Sequence, residues 1–131
     1  MKLGWAAVIL TPMLVACAVK SPPDVARGKV LYTENCAVCH GLDGRGGGVL
    51  ADHLPMQPAD LTGLAGRNDG AFPWSDVMAK VHGYEGRAEV MPEFGTVLAG
   101  PTVMWRDEYG TRIETPIGLL SLAHYLESIQ E

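Results

Sequence analysis

The sequence predicts a small all-α domain, because three stretches carry helical patterns. The first, residues 24–35, opens on Asp24, a residue type that caps helix N-termini. The second, residues 73–82, places apolar residues three and four apart between a proline and a glycine. The third, residues 115–129, begins with Pro116 and carries a broad apolar stripe.

The first helix leads directly into the run Cys36-Ala37-Val38-Cys39-His40. C-x-x-C-H is a pattern to which haem is covalently attached. In a helical turn, residues three and four apart lie on one face, so both thiols can reach one porphyrin with His40 beneath its iron as the proximal ligand. The alternatives are a redox dithiol, a structural disulfide and half of a zinc site. The sequence offers neither a second cluster of zinc ligands nor a thioredoxin-type βαβ context.

These features together resemble a small class I cytochrome c, and the resemblance covers about residues 25–131. Gly28 and Tyr32 match the family's small residue and aromatic where the first helix crosses the last, and Leu122 and Tyr125 match the partner positions. The resemblance implies an all-α class I cytochrome c fold, with three to four main helices wrapped around one covalently attached haem c and its iron.

A second segment, Met91-Pro92-Glu93-Phe94-Gly95, resembles the family's axial methionine segment. The resemblance implies Met91 as the second iron ligand, 51 residues after His40. A thioether raises the reduction potential relative to a second imidazole, and a filled sixth position excludes oxygen and peroxide, as an electron carrier requires. The other candidates are the methionines Met56, Met78 and Met104 and, for a bis-histidine iron, His53, His82 and His124.

Two loops are expected beside the cofactor. The glycine-rich segment 41–48 should turn sharply and pack against the porphyrin edge, since it lacks the P-loop pattern of a phosphate site. Segment 54–61 contains two prolines and should be extended. By resemblance it lies on the His40 side, where a carbonyl, for which we choose that of Pro55, accepts the second N–H of the imidazole. Trp74 and Trp105 are candidate donors to a haem propionate.

Residues 98–115 depart from the family pattern, in which a shorter connection leads to the last helix. Residues 102–114 alternate around Asp107-Glu108-Tyr109-Gly110, which predicts a small hairpin. An isolated hairpin is marginal unless it packs on something, so an irregular loop is the alternative. Either form is a candidate rim for a specific partner.

The N-terminus carries one lysine, an uncharged and mostly apolar stretch, and then Leu14-Val15-Ala16-Cys17, which resembles a bacterial lipobox. We therefore expect residues 1–16 to be a lipoprotein signal peptide, Cys17 to be lipidated, residues 17–24 to form a tether, and residues 25–131 to form the cytochrome domain. Ordinary secretory cleavage and an uncleaved anchor are the alternatives. The fourteen uncharged residues fall short of the roughly 20 that a spanning helix needs.

The composition is acidic, with a net charge of −5 that becomes −6 once the signal lysine is removed. This charge disfavours nucleic acid as a partner and favours redox proteins that present basic patches, with an attraction that weakens as salt rises.

The sequence thus predicts an electron-transfer protein rather than an enzyme. It would shuttle single electrons between redox partners at the membrane surface, on the periplasmic side of a bacterial cell envelope. The alternatives are a subunit of a larger oxidoreductase, a haem-based sensor and a small peroxidase. Peroxidases of the cytochrome c kind carry two C-x-x-C-H motifs, and this chain has one.

Overall fold

The computed structural model describes residues 23–83 and 90–131. These residues do not include the predicted signal peptide, Cys17 or most of the predicted tether. The elements are, in chain order, helices α1 (Val25–Asn35), α2 (Ala37–His40) and α3 (Trp74–His82), strands β1 (Thr102–Arg106) and β2 (Arg112–Pro116), and helix α4 (Ile117–Ser128). A 3-10 turn occupies Ala51–His53. The fold is therefore mostly helical but not all-α, because the segment between the predicted methionine loop and the last helix forms an antiparallel hairpin.

Helix α1 begins as its sequence predicts. The Asp24 side chain accepts a hydrogen bond of 2.7 Å from the backbone N–H of Arg27, which satisfies one of the free donors of the first turn. Only Gly28 and Tyr32 of this helix are buried. At its C-terminal end the N–H of Cys36 donates to the carbonyl of Tyr32 at 2.8 Å, so the helix leads without a loop into the cysteine motif.

Helices α1 and α4 cross at Gly28. A Cβ at this position would lie 2.0 Å from the carbonyl oxygen of Ser121 and 2.8 Å from the Cβ of Tyr125, so only glycine allows this approach. One turn further along, the rings of Tyr32 and Tyr125 pack with centroids 5.2 Å apart. The predicted crossing is confirmed, except that Gly28 meets Ser121 and not Leu122, which turns towards a neighbouring cavity.

Helix α4 is the centre of the fold. Residues 117–123, Tyr125 and Leu126 are all buried, because α1, α3 and the hairpin pack around this helix. The helix begins one residue later than its sequence predicts. Pro116 still pairs with Thr102 across the hairpin, so it ends β2 and forms the N-cap of α4.

The hairpin lies over the start of α3. Its observed strands confirm the predicted hairpin at 102–114 and extend it by two residues. The ring of Trp105 packs on that of Trp74, with centroids 6.0 Å apart. The Glu108 carboxylate in the turn accepts hydrogen bonds from the hydroxyl of Ser75 at 2.7 Å and from its N–H at 3.3 Å. The hairpin therefore supplies the N-terminal cap that Pro73 cannot provide for α3.

Helix α3 ends where its sequence predicts. Gly83 takes a left-handed conformation with φ of 96°, and its N–H closes the last turn on the carbonyl of Ala79. Among the described residues, no helix combines the length and apolar character needed to cross a membrane.

Candidate cofactor site

The cysteine motif forms a short helical turn of its own. Cys36 ends α1 and begins α2, and its carbonyl accepts the N–H of His40 at 2.9 Å. This turn is the geometry that places residues three and four apart on one face. Cys36 and Cys39 are both half-buried free thiols, so neither is part of a disulfide. Among residues 23–83 and 90–131, no three His, Cys, Asp or Glu side chains cluster as a metal site, which leaves the zinc alternative without a ligand set there.

The imidazole of His40 has a defined orientation. Its Nδ1 lies 3.0 Å from the carbonyl oxygen of Ala59. A carbonyl can only accept, so Nδ1 is the donor in this hydrogen bond, and in the neutral imidazole Nε2 is then the nitrogen with the lone pair that a ligand needs. Segment 54–61 thus supplies the group that faces His40, as predicted, although residues 54–56 form a bend and are not extended. The prediction of Pro55 as the acceptor was wrong. The acceptor is instead the carbonyl of Ala59, four residues further along the same segment.

Two glycines bring the segments around His40 together. Gly46 has φ of 84°, and a Cβ there would lie 2.2 Å from the carbonyl oxygen of Pro58, next to Ala59. Its N–H donates to the carbonyl of His40 at 2.8 Å. Gly48 packs on α2, where a Cβ would lie 2.4 Å from the carbonyl oxygen of Val38. The glycine loop thus turns sharply as predicted. Gly48 packs on the backbone of the motif, whereas Gly46 joins the motif, through His40, to segment 54–61, through Pro58.

A hydrogen-bond network fixes the segment that carries Ala59. The next residue, Asp60, accepts from the hydroxyl of Thr62 at 2.7 Å and from its N–H at 2.8 Å. These bonds hold the pKa of the Asp60 carboxyl below its usual value. The N–H of Leu61 donates to the carbonyl of Gly44 at 2.7 Å, which ties the segment to the glycine loop.

A cavity of about 420 Å³ opens beside His40. Most of its wall is apolar, with Arg67, Asp76 and Lys80 as its charged residues among those described. Residues from every part of the predicted site line it: Tyr32, Cys36, His40, Ala59, Leu61, Leu64, Val77, Val81, Met91, Leu122 and Leu126. The fold therefore brings Met91 to the same cavity as Cys36 and His40. Cys39 is not among the lining residues.

Met91 follows residues 84–89, which lie outside the described part of the chain. The segment after it is tied to the end of α3, where the N–H of Phe94 donates to the carbonyl of Val81 at 2.9 Å. Gly95 packs on the same helix end, and a Cβ there would lie 2.8 Å from the carbonyl oxygen of His82. These contacts hold the methionine segment against α3.

The other candidate ligands have different surroundings. Met78 is buried in the core, whereas Met56 and Met104 are 58% and 64% exposed. His53 is exposed, and the ring of His124 packs edge-on to Trp74 with centroids 4.8 Å apart. Of the methionines and histidines in residues 23–83 and 90–131, His40 and Met91 alone line the cavity.

Two titratable side chains of the cavity wall, Cys36 and Tyr32, have raised pKa values. Burial raises the pKa of the Cys36 thiol to about 11, and the nearby Cys39 adds to this rise. Burial also raises the pKa of Tyr32, whose hydroxyl donates to the carbonyl of Gly41 at 2.7 Å. The indole N–H of Trp74, a candidate propionate donor, instead lies 3.3 Å from the carboxylate of Glu127.

Several site residues were not anticipated from the sequence. Arg67 and Lys80 carry no pattern that distinguishes them from ordinary surface cations, and they line the cavity only because the loop before α3 and α3 itself fold beside it. Ala59 contributes its backbone carbonyl to the site, and no pattern of side chains in the sequence can indicate such a contact.

Comparison with known proteins adds two findings. The profile of the cytochrome c family matches residues 25–108, a range that includes the cysteine motif and Met91 and ends in the turn of the hairpin. Thiosulfate dehydrogenase of Stutzerimonas stutzeri (strain A1501) is 65% identical to the chain over 23 residues, which are 18% of this chain and 8% of that protein. The chain therefore matches under a tenth of that relative's length. No solved structure matches the chain.

Proposed function

Because the chain belongs to the cytochrome c family, whose members bind covalently attached haem c, we propose that it is a single-electron carrier with one haem. Cys36 and Cys39 would hold the haem through two thioether bonds, and His40 and Met91 would bind its iron. The protein's own residues carry out no bond chemistry on a substrate.

One observation carries this proposal: Cys36, His40 and Met91 line a single cavity, although His40 and Met91 are 51 residues apart in the sequence. The size and lining of the cavity also fit a haem. Its volume of about 420 Å³ lies in the range of cofactor pockets, about 300–1,000 Å³, and its walls are largely apolar. An imidazole nitrogen and a thioether sulfur are both established iron ligands of c-type haem.

Each residue has a distinct task. His40 presents Nε2 to the cavity because Ala59 holds its Nδ1 proton. Met91 supplies a soft sulfur that favours the reduced metal. The apolar walls exclude water, so little solvent must reorganise when charge changes. When bound, haem supplies the one-electron couple of its iron.

A carbon monoxide difference spectrum of the reduced protein tests the carrier function against an open-iron sensor or peroxidase. If Met91 occupies the sixth position, carbon monoxide binds slowly or incompletely, and Met91→Ala makes its binding immediate and complete. An immediate, complete spectral shift in the unaltered protein would mean an open iron and would contradict the carrier function.

The partners are redox proteins that present basic patches, since the chain carries a net charge of −5. Cytochrome c domains of bacteria are typically extracytoplasmic. In this proposal residues 1–16 are removed on export and Cys17 carries the lipid, so that residues 25–131 work at the membrane surface.

Membrane fractionation tests the anchor independently. The native protein should sediment with membranes, and Cys17→Ser should release any processed domain in soluble form with an unchanged haem spectrum. An N-terminus that retains residues 1–16 in mass spectrometry would contradict lipidation without touching the electron-transfer proposal.

A further inference from the structure

The side chain of Gln130 joins three segments of the chain. Its amide nitrogen donates to the carbonyls of Leu61 and Leu126, at 2.7 Å each. Its amide oxygen accepts from the N–H of Ala65 at 2.9 Å. Both donors and the acceptor of this one amide are thus used, all by backbone groups.

These contacts lie directly behind the wall of the cavity. Leu61 and Leu126 both line it, and so does Leu64, the neighbour of Ala65. Leu61 is two residues from Ala59, whose carbonyl holds the Nδ1 proton of His40. The peptide of Leu61 is held from both directions, because its N–H donates to Gly44 while its carbonyl accepts from Gln130.

We propose that Gln130 is a positioning residue that keeps the carbonyl of Ala59 aligned with His40 and thereby sets the reduction potential of the iron. The inference rests on the proposed function, in which His40 is an iron ligand. Gln130 acts through the segment 59–61 and does not itself line the cavity.

The direction of its effect follows from the proximal hydrogen bond. A carbonyl that accepts the Nδ1 proton increases the electron density on the imidazole and makes it a stronger ligand. A stronger donor favours the oxidised metal, so this hydrogen bond lowers the potential. Loosening the segment weakens the bond, and the potential should therefore rise.

The test compares Gln130→Met with Ser128→Ala in the haem-loaded protein. Methionine has nearly the length of glutamine and is also uncharged, so it removes the three hydrogen bonds without altering the net charge. Ser128 is the matched control. Its hydroxyl donates to the carbonyl of Tyr125 at 2.7 Å in the same part of the chain and has no hydrogen bond to residues 59–65.

Two quantities are measured: the exchange rate of the His40 Nδ1 proton by nuclear magnetic resonance, and the reduction potential by spectroelectrochemistry. For Gln130→Met we expect proton exchange several-fold faster and a more positive potential. Ser128→Ala should leave both unchanged even where it lowers the melting temperature. If Gln130 only stabilised the fold, Gln130→Met would lower the melting temperature and would change neither the proton exchange rate nor the reduction potential.

Unchanged exchange and potential in Gln130→Met would overturn the inference while leaving the proposed function intact. The proposed function fails on a separate observation, the absence of a His/Met-ligated spectrum in the unaltered protein. If Gln130→Met does not accumulate with haem, Gln130→Asn replaces it. That variant keeps the amide on a side chain one methylene shorter, so it should shift both quantities in the same direction by less, and no shift would equally overturn the inference.

Discussion

The two sides of the cavity are built differently. On the His40 side, Cys36 and His40 share one helical turn, and Ala59 orients the imidazole from a segment tied to the glycine loop and to Gln130. On the other side, Met91 lies 51 residues after His40 in the sequence. Its segment is held to α3 by the hydrogen bond from Phe94 and by the packing of Gly95. Local chain geometry thus places Cys36 and His40 on one turn, and tertiary contacts only orient the imidazole. On the other side, tertiary packing alone brings Met91 to the cavity.

The largest effect should come from the His40 side. We expect His40→Ala to yield purified protein that has lost haem, because the proximal ligand is removed from the turn that holds both thioethers. Cys36→Ala or Cys39→Ala should leave a single thioether and retain some haem. A pyridine haemochrome assay measures the yield, and a normal yield from His40→Ala would show that this turn is not the attachment site.

The next largest effect concerns the other ligand. Met91→His should keep six-coordinate iron but lower the potential by about 0.1–0.3 V, a part of the roughly 0.8 V range that axial ligands span. Haem content should stay normal, since Met91 does not take part in attachment. Spectroelectrochemistry checks the shift, and an unchanged potential would mean that residue 91 is not a ligand.

A pair of glycine substitutions tests the two sides separately. Gly46→Ala should cost about 2–4 kcal/mol of stability, because it combines a left-handed φ with a Cβ 2.2 Å from the carbonyl oxygen of Pro58. Gly95→Ala should cost about 1–2 kcal/mol, since its nearest contact is at 2.8 Å. Denaturant unfolding gives both values.

The two variants should also differ in how they bind added imidazole. Gly95→Ala should bind it more tightly, because its segment no longer holds Met91 as firmly, whereas Gly46→Ala should bind it as the unaltered protein does. Gly47→Ala is the control for both, since nothing lies within 4 Å of a Cβ there. Equal imidazole affinity in all three variants would argue against independent support of the two sides.

The smallest effect is expected at the hairpin. Glu108→Ala removes the cap that the hairpin provides for α3 and should lower the free energy of unfolding by about 0.5–1 kcal/mol. Tyr109→Ala, in the same turn and 83% exposed, should change it little. If the two variants are indistinguishable in denaturant unfolding, Glu108 does not stabilise α3.

The same contrast explains which features the sequence could predict. The Asp24 cap and the C-terminal end of α3 follow from local patterns, and the structure contains both. The meeting of Gly28 and Tyr32 with Tyr125 follows from the resemblance to class I cytochromes c, and the structure contains it too. The first helix and the attachment turn are continuous in sequence, so their relation needs no knowledge of the fold.

The features that were missed depend on contacts between segments that are distant in the sequence. The acceptor for His40 is the carbonyl of Ala59, and any residue type could supply it. Gln130 and Glu108 act on segments 69 and 33 residues away, and neither contact has a sequence signature. The start of α4 was placed one residue early because a proline at the first helical position and a proline ending a strand look alike in sequence.

The central claim is that His40 and Met91 bind the same iron, and the near-infrared charge-transfer band of methionine-ligated ferric haem tests it most directly. We expect this band in the oxidised unaltered protein and its complete loss in Met91→Ala, with haem content preserved. Persistence of the band in Met91→Ala would rule out Met91 as the iron ligand and would assign that role to Met56, Met78 or Met104.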